Sequence, residues 1–465
     1  MTNSPLHTRI KNTIDTYHLL SKGDSVLIAV SGGVDSVVLT HVLWRLRESW
    51  RLTLHLIHIH HGLRGEEADR DEQFVQEFGA SLNIPVLPQR VDVNGYVQEH
   101  RTSVEDAART LRYQCFQEVL ESQPADVVAL GHHADDQAET ILDHFIRGSG
   151  PAGLSGMRRK NGPFIRPLLD VTRQEIETYA HSEGLKYIID STNADIRFKR
   201  NKIRHRLIPF LKDEFNPSIV DGLLRTGTVF SQVHDYFVSE AAHAVEYCTI
   251  QAQKDKIILD IHRFFQYFNI IQIYVLYHIV DVLAGQKVQL PVTTQFRFLE
   301  FLKENRIGSK LELPDNWEIL IDHDGLVFHR PVNRNETVSV TPDRWVVFGC
   351  QRFLVSEHQR AGIDIRFGAD RFMEYIDREQ VSMPLTLRTF QPGDRFVPFN
   401  NSGGKKISDF FTDLKVPLHE RPYVPILFDQ AGIVWVAGYR IADRVKITEQ
   451  TTHILKLEMR KDLHD

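Results

Sequence analysis

Short apolar runs alternate with longer amphipathic segments over the first 190 residues of the chain. The apolar runs are rich in β-branched residues and bounded by polar ones, which predicts buried strands at 26–30, 52–59, 86–91 and 127–130. Apolar positions at helical spacing predict helices at 5–21, 37–46, 66–82, 103–120 and 171–183. Strands that alternate with helices of this length predict an α/β fold with a doubly wound parallel sheet.

The pattern changes after residue 212. A helical stripe, an apolar helix and a few strands predict a helical or mixed middle region at 216–335. Residues 385–465 alternate strand patterns with Gly, Pro and Asp turns, which predicts a small β-rich C-terminal domain. The first domain then covers 1–212, and 336–384 is expected to be a linker with peripheral strands.

Composition narrows the class of protein. Of the 465 residues, 42% are hydrophobic and 25% charged, as in ordinary globular proteins, and no apolar run is long enough to span a membrane. The three cysteines, Cys115, Cys248 and Cys350, are far apart and predict no disulfide framework, which fits a reducing cytoplasm. The net charge of −6 argues weakly against nucleic acid as a partner, but a local basic patch can coexist with it.

A glycine-rich turn joins the first predicted strand to the first long helix: Ser31-Gly32-Gly33-Val34-Asp35-Ser36. The glycines allow a tight turn and close approach to an anion, and the amide groups at the helix start favour phosphate. No lysine follows the glycines, so this is not the nucleotide loop that ends in Gly-Lys-Ser. It resembles the pyrophosphate loop of ATP pyrophosphatases; the alternative is a turn without a ligand.

Acidic residues and histidines follow the fourth predicted strand and open a helix that runs to Arg147. Asp136 and Glu139 are three residues apart and share a helical face. Carboxylates beside a phosphate loop are explained by Mg²⁺, with Asp35 and Asp136 as ligands. The alternatives are zinc held by histidines such as His60 and His132, or a plain helix cap.

Two basic clusters complete the pattern. Arg109 and Arg112 share a helical face and suit bidentate phosphate contact, although Glu105 could instead pair with Arg109. Residues 197–212 carry many basic side chains and few acids, which predicts either a track for nucleic-acid phosphates or a solvated basic helix.

These motifs occur in an order that resembles bacterial tRNA(Ile)-lysidine synthetases, of the N-type PP-loop ATP pyrophosphatases. The resemblance spans nearly the whole chain, with less between 216 and 384. Besides the loop, the matching segments are His61–Arg64, Ala107–Tyr113, Gly131–Thr140, Gly153–Met157, Arg166–Leu169, Asp190–Arg204, Gly393–Arg395, Lys405–Phe411 and Trp435–Arg444.

The resemblance implies an adenine nucleotide α-hydrolase-like fold and a two-step reaction. ATP adenylates C2 of the wobble cytidine in a minor isoleucine tRNA with a CAU anticodon, and L-lysine then displaces AMP to give lysidine. Codon reading changes from AUG to AUA. The resemblance is compatible with a homodimer and with a cytoplasmic enzyme that makes no contact with a membrane.

The resemblance also implies roles for individual residues. Arg109 and Arg112 stabilise developing charge, His132 contacts phosphate or assists proton transfer, and Glu139 receives the lysine ammonium. Asp35 and Asp136 hold Mg²⁺ and take part in catalysis. The predicted ATP-binding residues are Ser31, Gly32, Gly33, Val34, Asp35, Ser36, His60 and Gly131. The predicted tRNA-binding residues are Arg197, Arg200, Lys202, Arg204, Arg206, Arg395, Lys405, Lys406 and Arg440.

Two other interpretations stay open at this point. The first is another PP-loop enzyme that adenylates a tRNA carbonyl, although isolated cysteines do not favour thiolation. The second is a non-catalytic tRNA-binding protein that retains the loop.

Overall fold

The structure is a computed structural model that describes residues 5–63, 65–122, 125–189, 199–288, 290–323, 325–331, 337–349, 351–361 and 370–461. Arg197, Arg64 and Cys350, named above, lie outside these residues, as does most of the 190–204 motif. The chain divides into two compact units, residues 1–236 and 237–465. No helix in the described ranges is long and apolar enough to cross a membrane.

The first unit is built on a six-stranded sheet of order β3-β2-β1-β4-β6-β5. Its strands are β1 Ser25–Ala29, β2 Thr53–His60, β3 Val86–Arg90, β4 Val127–Ala129, β5 Lys160–Asn161 and β6 Phe164–Ile165. Neighbours from β3 to β6 are parallel, and β5 joins the edge antiparallel. Ile28 of β1 is paired with Leu56 on one side and Ala129 on the other, so the carboxyl ends of β1, β2 and β4 meet at one edge.

Helices cover both faces of this sheet. They are α1 Pro5–Thr16, α2 Val34–Trp50, α3 Glu66–Leu82, α4 Val93–His100, α5 Val104–Ser122, α6 Ala134–Ile146, α7 Pro151–Leu154, α8 Arg173–Ser182, α9 Lys199–Lys202, α10 Ile208–Glu214 and α11 Ile219–Cys248. A π-helical turn, Ile203–Leu207, joins α9 to α10. Val26 and Ile28 point into one apolar core and Leu27 into another, because strand side chains alternate between faces.

The predicted α/β fold class is confirmed for this part of the chain, including α3 at its predicted bounds. The sequence pattern did not predict β5, β6, α4 or α7. Each of the two strands has only two residues, too few to show a periodicity.

The second unit begins with α11's last turns and a five-stranded antiparallel sheet of order β7-β8-β11-β10-β9. Its strands are β7 Thr249–Gln253, β8 Lys256–Asp260, β9 Lys310–Glu312, β10 Glu318–Ile321 and β11 Gly325–His329. The helices are α12 Ile261–Phe264, α13 Asn269–Ala284 and α14 Val292–Glu304, and their buried aromatic residues include Phe264 and Phe298.

The C-terminal part of this unit contains sheets of order β12-β16-β19-β20-β21, β13-β14-β22-β15 and β17-β18, together with the helix α15 Ile407–Asp413. The strands are β12 Val338–Val340, β13 Val346–Phe348, β14 Gln351–Gln359, β15 Met373–Asp377, β16 Leu385–Thr389, β17 Arg395–Phe396, β18 Lys405–Lys406, β19 Pro425–Asp429, β20 Gly432–Val436, β21 Arg440–Ile441 and β22 His453–Lys461.

The described part of 336–384, expected to be a linker with peripheral strands, carries the strands β12 to β15. β14 pairs with β22 from Gln351–Lys461 to Gln359–His453, and β12 pairs with β16, so both lie within the C-terminal sheets. The partner strands are distant in sequence, and local periodicity carries no information about such pairing.

Candidate active site

The loop between β1 and α2 has the geometry of an anion cradle. Gly32 has a φ of +89°, so the conformation favours glycine, and a Cβ there would also push on Ile188 Cδ1 at 2.9 Å. The Ser36 hydroxyl donates to the Gly33 carbonyl at 2.9 Å and tightens the turn. Gly33 is the N-cap of α2 and has no side chain to satisfy the first amide groups of the helix, which stay available to an anion.

A cavity of about 400 Å³ opens beside this loop at the carboxyl edge of the sheet. The predicted site residues that line it are Ser31, Asp35, Ser36, His60, Arg112, Gly131 and His132. A Cβ on Gly131 would lie 3.3 Å from the Ser36 backbone nitrogen, so the absence of a side chain lets β4 approach the loop. The topology thus brings together residues from segments roughly 100 positions apart.

Asp35 and Asp136 both face His133. Their oxygens lie 3.8 and 3.4 Å from His133 Nε2, and Asp135 Oδ2 lies 3.6 Å from Nδ1. Burial opposes the imidazolium form of His133, but the nearby carboxylates of Asp135, Asp136 and Asp35 raise its pKa. No role was predicted for His133; its place between predicted catalytic acids is set by the fold.

The two carboxylate oxygens of Asp35 differ in their hydrogen bonding. Arg173 Nη1 donates to Oδ2 at 2.6 Å, and the Arg173 amide donates to Asp135 Oδ2 at 2.8 Å. The other oxygen, Oδ1, is buried and accepts no hydrogen bond. Burial raises the pKa of Asp35, against the opposing charges of His133 and Arg173. Sequence reasoning missed Arg173, which lies at the start of α8, 138 residues from its partner.

The free oxygen of Asp35 fits a hard cation. Mg²⁺ prefers one or two carboxylates together with phosphate oxygens and water, rather than a full cage of protein ligands. In the described ranges, no group of three or more His, Cys, Asp and Glu side chains has the arrangement of a metal site. A pair of carboxylates beside a phosphate loop is a donor set that suits Mg²⁺, which completes its coordination with phosphate oxygens and water.

Two arginines cover the acidic face of α6. Arg200 donates to Glu139 Oε2 at 2.8 Å and to Asp136 Oδ1 at 2.9 Å. Arg204 donates to Glu139 at 2.5 Å and to Asp136 Oδ1 at 2.9 Å. Glu139 is 1% exposed, so its charge needs this compensation. Burial alone would raise the pKa of Asp136, but His133, Arg200 and Arg204 together lower it.

The sequence predicts Arg200 and Arg204 as part of a phosphate track. The π-helical turn and α9 place both guanidinium groups on the acids of α6, and both side chains stay partly exposed. Lys202 and Arg206 on the same segment are exposed, and no ion-pair partner for either lies in the described part of the chain.

A cluster of positive charge surrounds His132. Burial, together with Arg166, Arg200 and Arg109, lowers the pKa of His132 to about 3, so the ring is neutral at physiological pH. Arg112 lines the cavity, and its pKa is lowered by burial and by the neighbouring Arg109 and Arg200. Arg109 is exposed and stacks over Tyr113, with its Cζ 5.4 Å from the ring centroid, and forms no ion pair with Glu105.

In the second unit, the predicted basic residues lie on three short strands. Arg395 pairs with Lys406 across β17 and β18, and both side chains are exposed, as is Arg440 on β21. Lys405 instead forms an ion pair with Asp413.

Sequence profiles of known families match both the first domain and the C-terminal domain. The profile described as the PP-loop domain matches residues 2–211, and the one described as the TilS substrate C-terminal domain matches residues 385–459. The parallel sheet, the glycine loop and the cavity beside it define the class: a PP-loop enzyme that uses ATP.

Relatives match over nearly the full length. The tRNA(Ile)-lysidine synthase of Clostridium acetobutylicum is 31% identical over 459 residues, covering 97% of this chain and 98% of the relative. That of Clostridium tetani is 30% identical over 461 residues, covering 97% of each. A crystal structure of a TilS C-terminal domain aligns with 28% of this chain and all of its own at 22% identity, with a TM-score of 0.25, too low to add to the assignment.

The chain belongs to the tRNA(Ile)-lysidine synthase family. It is accordingly an ATP-dependent ligase that modifies tRNA, and the resemblance drawn from the sequence motifs is confirmed.

Proposed function

We propose that this chain ligates L-lysine to C2 of the wobble cytidine in a tRNA(Ile) with a CAU anticodon, consuming ATP and releasing AMP and pyrophosphate. The observation that carries the proposal is the cavity that joins the Ser31–Ser36 loop to Asp35, Arg112 and His132 in a chain of this family. The loop amides and the Ser31 and Ser36 hydroxyls would hold the β- and γ-phosphates that leave.

Asp35 and Asp136 would hold Mg²⁺, which supplies neutralisation of the charge that develops on the phosphates. Asp35 Oδ1 is ready for this role because it is buried without a hydrogen bond. Asp136 Oδ1 accepts bonds from Arg200 and Arg204, so ligation through this oxygen requires one of these side chains to move, whereas Oδ2 accepts a bond from the His133 amide.

Arg112 would stabilise negative charge near the α-phosphorus, because it is a buried cation on the wall of the cavity. His132 is neutral, with a pKa of about 3. It is therefore suited to hydrogen bonding with phosphate or base and poorly suited to donating a proton as imidazolium.

Glu139 would receive the ε-ammonium of lysine before that amine loses its proton and attacks C2. Glu139 borders a small cavity of about 170 Å³ that also contacts Asp143 and Thr140. An incoming ammonium could replace part of the charge that the two arginines now provide.

The other open interpretation was a thiolating enzyme. Cys115 and Cys248 are buried and unpaired, and they belong to different units. Burial raises the pKa of both thiols, that of Cys248 to about 11, so neither is an activated nucleophile. These properties favour direct attack by an amine.

We further propose that the 1–212 domain carries catalysis, that 216–335 and 385–465 contact tRNA through residues such as Arg395, Lys406 and Arg440, and that 336–384 links these two regions and contributes peripheral strands. A cytoplasmic location and a homodimer complete the proposal, supported by the tRNA substrate and by the family resemblance respectively.

The direct experiment incubates the protein with ATP, radiolabelled L-lysine and bulk bacterial tRNA. We expect acid-precipitable label in RNA, together with AMP and pyrophosphate, and loss of both in Asp35→Asn. Asp15→Asn is the matched control, because Asp15 is exposed on α1 and pairs with Lys11. Consumption of ATP without lysine in RNA would contradict the proposal, and light scattering of the same sample reads the oligomeric state.

A further inference from the structure

An exposed apolar face lies on the first unit beside the catalytic acids. It is formed by Ile146 at the end of α6 and by Leu207 and Phe210 at the junction with α10, and it borders an open cavity of about 410 Å³. Phe215 extends the face, because its ring packs edge-on against Phe210 with centroids 5.5 Å apart. Phe210 is 53% exposed and Phe215 71%, so both rings present a large area to solvent. We call these four residues the aromatic face.

The rim of the aromatic face is basic. Lys199, Lys202 and Arg206 line the same cavity, and no acidic side chain lines it. Lys199 is paired with Asp143 at 2.5 Å, whereas Lys202 and Arg206 have no ion-pair partner in the described ranges. A second copy or a protein partner docking on apolar surface alone would not require these two unpaired cations.

The aromatic face is continuous with the active site. Lys199 and Ile203 line both the open cavity and the smaller cavity that contains Glu139 and Arg200. A strand laid across the face therefore passes directly beside the carboxylate proposed to receive lysine.

We propose that the aromatic face stacks unpaired bases of the RNA loop that carries the modified cytidine, while Lys202 and Arg206 contact its phosphates. This inference rests on the proposed function, which makes a single-stranded tRNA loop the substrate. Exposed aromatic rings beside unpaired cations are the combination that binds single-stranded nucleic acid, since every base offers a π-face for stacking. The site requires unpaired bases, because a ring cannot stack on bases already stacked within a duplex.

The test measures binding of an anticodon stem-loop RNA hairpin to full-length protein at several salt concentrations. We expect Phe210→Ala to weaken binding by about 5- to 100-fold, the range for loss of one base–aromatic stack. The slope of log K against log salt should not change in that variant, whereas Arg206→Ala should reduce the slope by about one phosphate contact. Tyr17→Ala is the matched control, because Tyr17 is a 44% exposed aromatic residue of the first unit that lines neither of these two cavities.

A second readout locates the contact. A photoreactive p-benzoylphenylalanine at position 210 should crosslink to nucleotides of the hairpin loop and not of the stem. Equal hairpin affinity for the Phe210→Ala and Tyr17→Ala variants overturns the inference. So does a change from dimer to monomer in Phe210→Ala at unchanged hairpin affinity, which would make the face an interface between copies. If the unmodified protein transfers no lysine but Phe210→Ala still weakens hairpin binding, the proposed function fails and the aromatic face stands.

Discussion

Arg200 donates through Nε to Glu139 Oε2 at 2.8 Å, which places a protein cation on the carboxylate proposed to bind the lysine ammonium. Arg204 occupies the other oxygen of Glu139, so the acid is fully compensated before any substrate arrives. Substrate lysine must therefore share Glu139 with the two arginines or displace one of them. The first two predictions follow from this competition.

Removing the charge of Glu139 should affect the two half-reactions differently. In Glu139→Gln we expect lysine transfer to fall by about 10²-fold or more, because the ammonium loses its anionic partner. ATP–pyrophosphate exchange in the presence of tRNA should continue, because the loop and Asp35 are unchanged. Glu48→Gln is the control, because Glu48 is an exposed acid at the end of α2 that lines neither the large nor the small cavity. Equal loss of exchange and transfer would contradict a role confined to the lysine step.

The arginine pair should also stabilise the fold. Arg204→Ala leaves part of the charge of buried Glu139 uncompensated, so we expect unfolding free energy to fall by about 3 kcal/mol. The double variant Arg204→Ala with Glu139→Gln should recover much of that loss, since the buried charge is gone. Denaturant unfolding of the four proteins in this cycle measures the coupling. Additive losses would show that the pair is not energetically linked.

The free oxygen of Asp35 predicts the metal dependence. Asp35→Asn should shift the Mg²⁺ concentration for half-maximal ATP–pyrophosphate exchange upward by about 10-fold or more, because one anionic ligand is lost. Chelation by EDTA should abolish exchange in the unmodified protein. Glu177→Gln serves as the control, since Glu177 pairs with the same Arg173 but lies away from the loop. An unchanged Mg²⁺ titration in Asp35→Asn would remove Asp35 from the metal site.

His132 predicts sensitivity of the fold to acid. The pKa of His132 is lowered to about 3 in the folded state, whereas it is 6.5 in the unfolded chain. Between pH 3 and pH 6.5 the unfolded chain therefore binds one more proton than the folded protein. Stability should therefore fall as pH drops from 6.5 toward 3, by up to about 5 kcal/mol at 1.36 kcal/mol per pKa unit. His132→Asn should flatten this part of the pH profile in denaturant unfolding, whereas His243→Gln, at an exposed histidine, should not. If the unfolding free energies of all three proteins changed with pH in parallel, burial of the His132 ring would be contradicted.

Gly131 predicts a defect specific to nucleotide binding. A Cβ there would press on the Ser36 amide at 3.3 Å and displace the loop, so Gly131→Ala should weaken ATP binding by about 10-fold with little effect on thermal stability. The control is Gly150→Ala, because a Cβ at Gly150 meets no atom within 4 Å and its φ is −77°. Isothermal titration with a non-hydrolysable ATP analogue makes the comparison, and equal affinities would show that the loop tolerates the contact.

By itself the sequence determined the alternation of strands and helices in the first unit, the phosphate loop and the position of Asp136 and Glu139 on one helical face. These features depend on local periodicity, on glycine conformation and on spacing of three or four residues, all of which are written in short segments. The parallel order of the strands then implied that their polar ends would meet.

Only the tertiary structure decided which charges compensate which. Arg200 and Arg204 look like a surface track in the sequence, yet a buried carboxylate such as Glu139 must be neutralised, and the fold brings these cations to it. The contact of Arg173 with Asp35 and the pairing of β14 with β22 have the same origin. Each of these contacts joins segments that are distant along the chain. Such contacts depend on packing and charge compensation, which a local sequence pattern cannot predict.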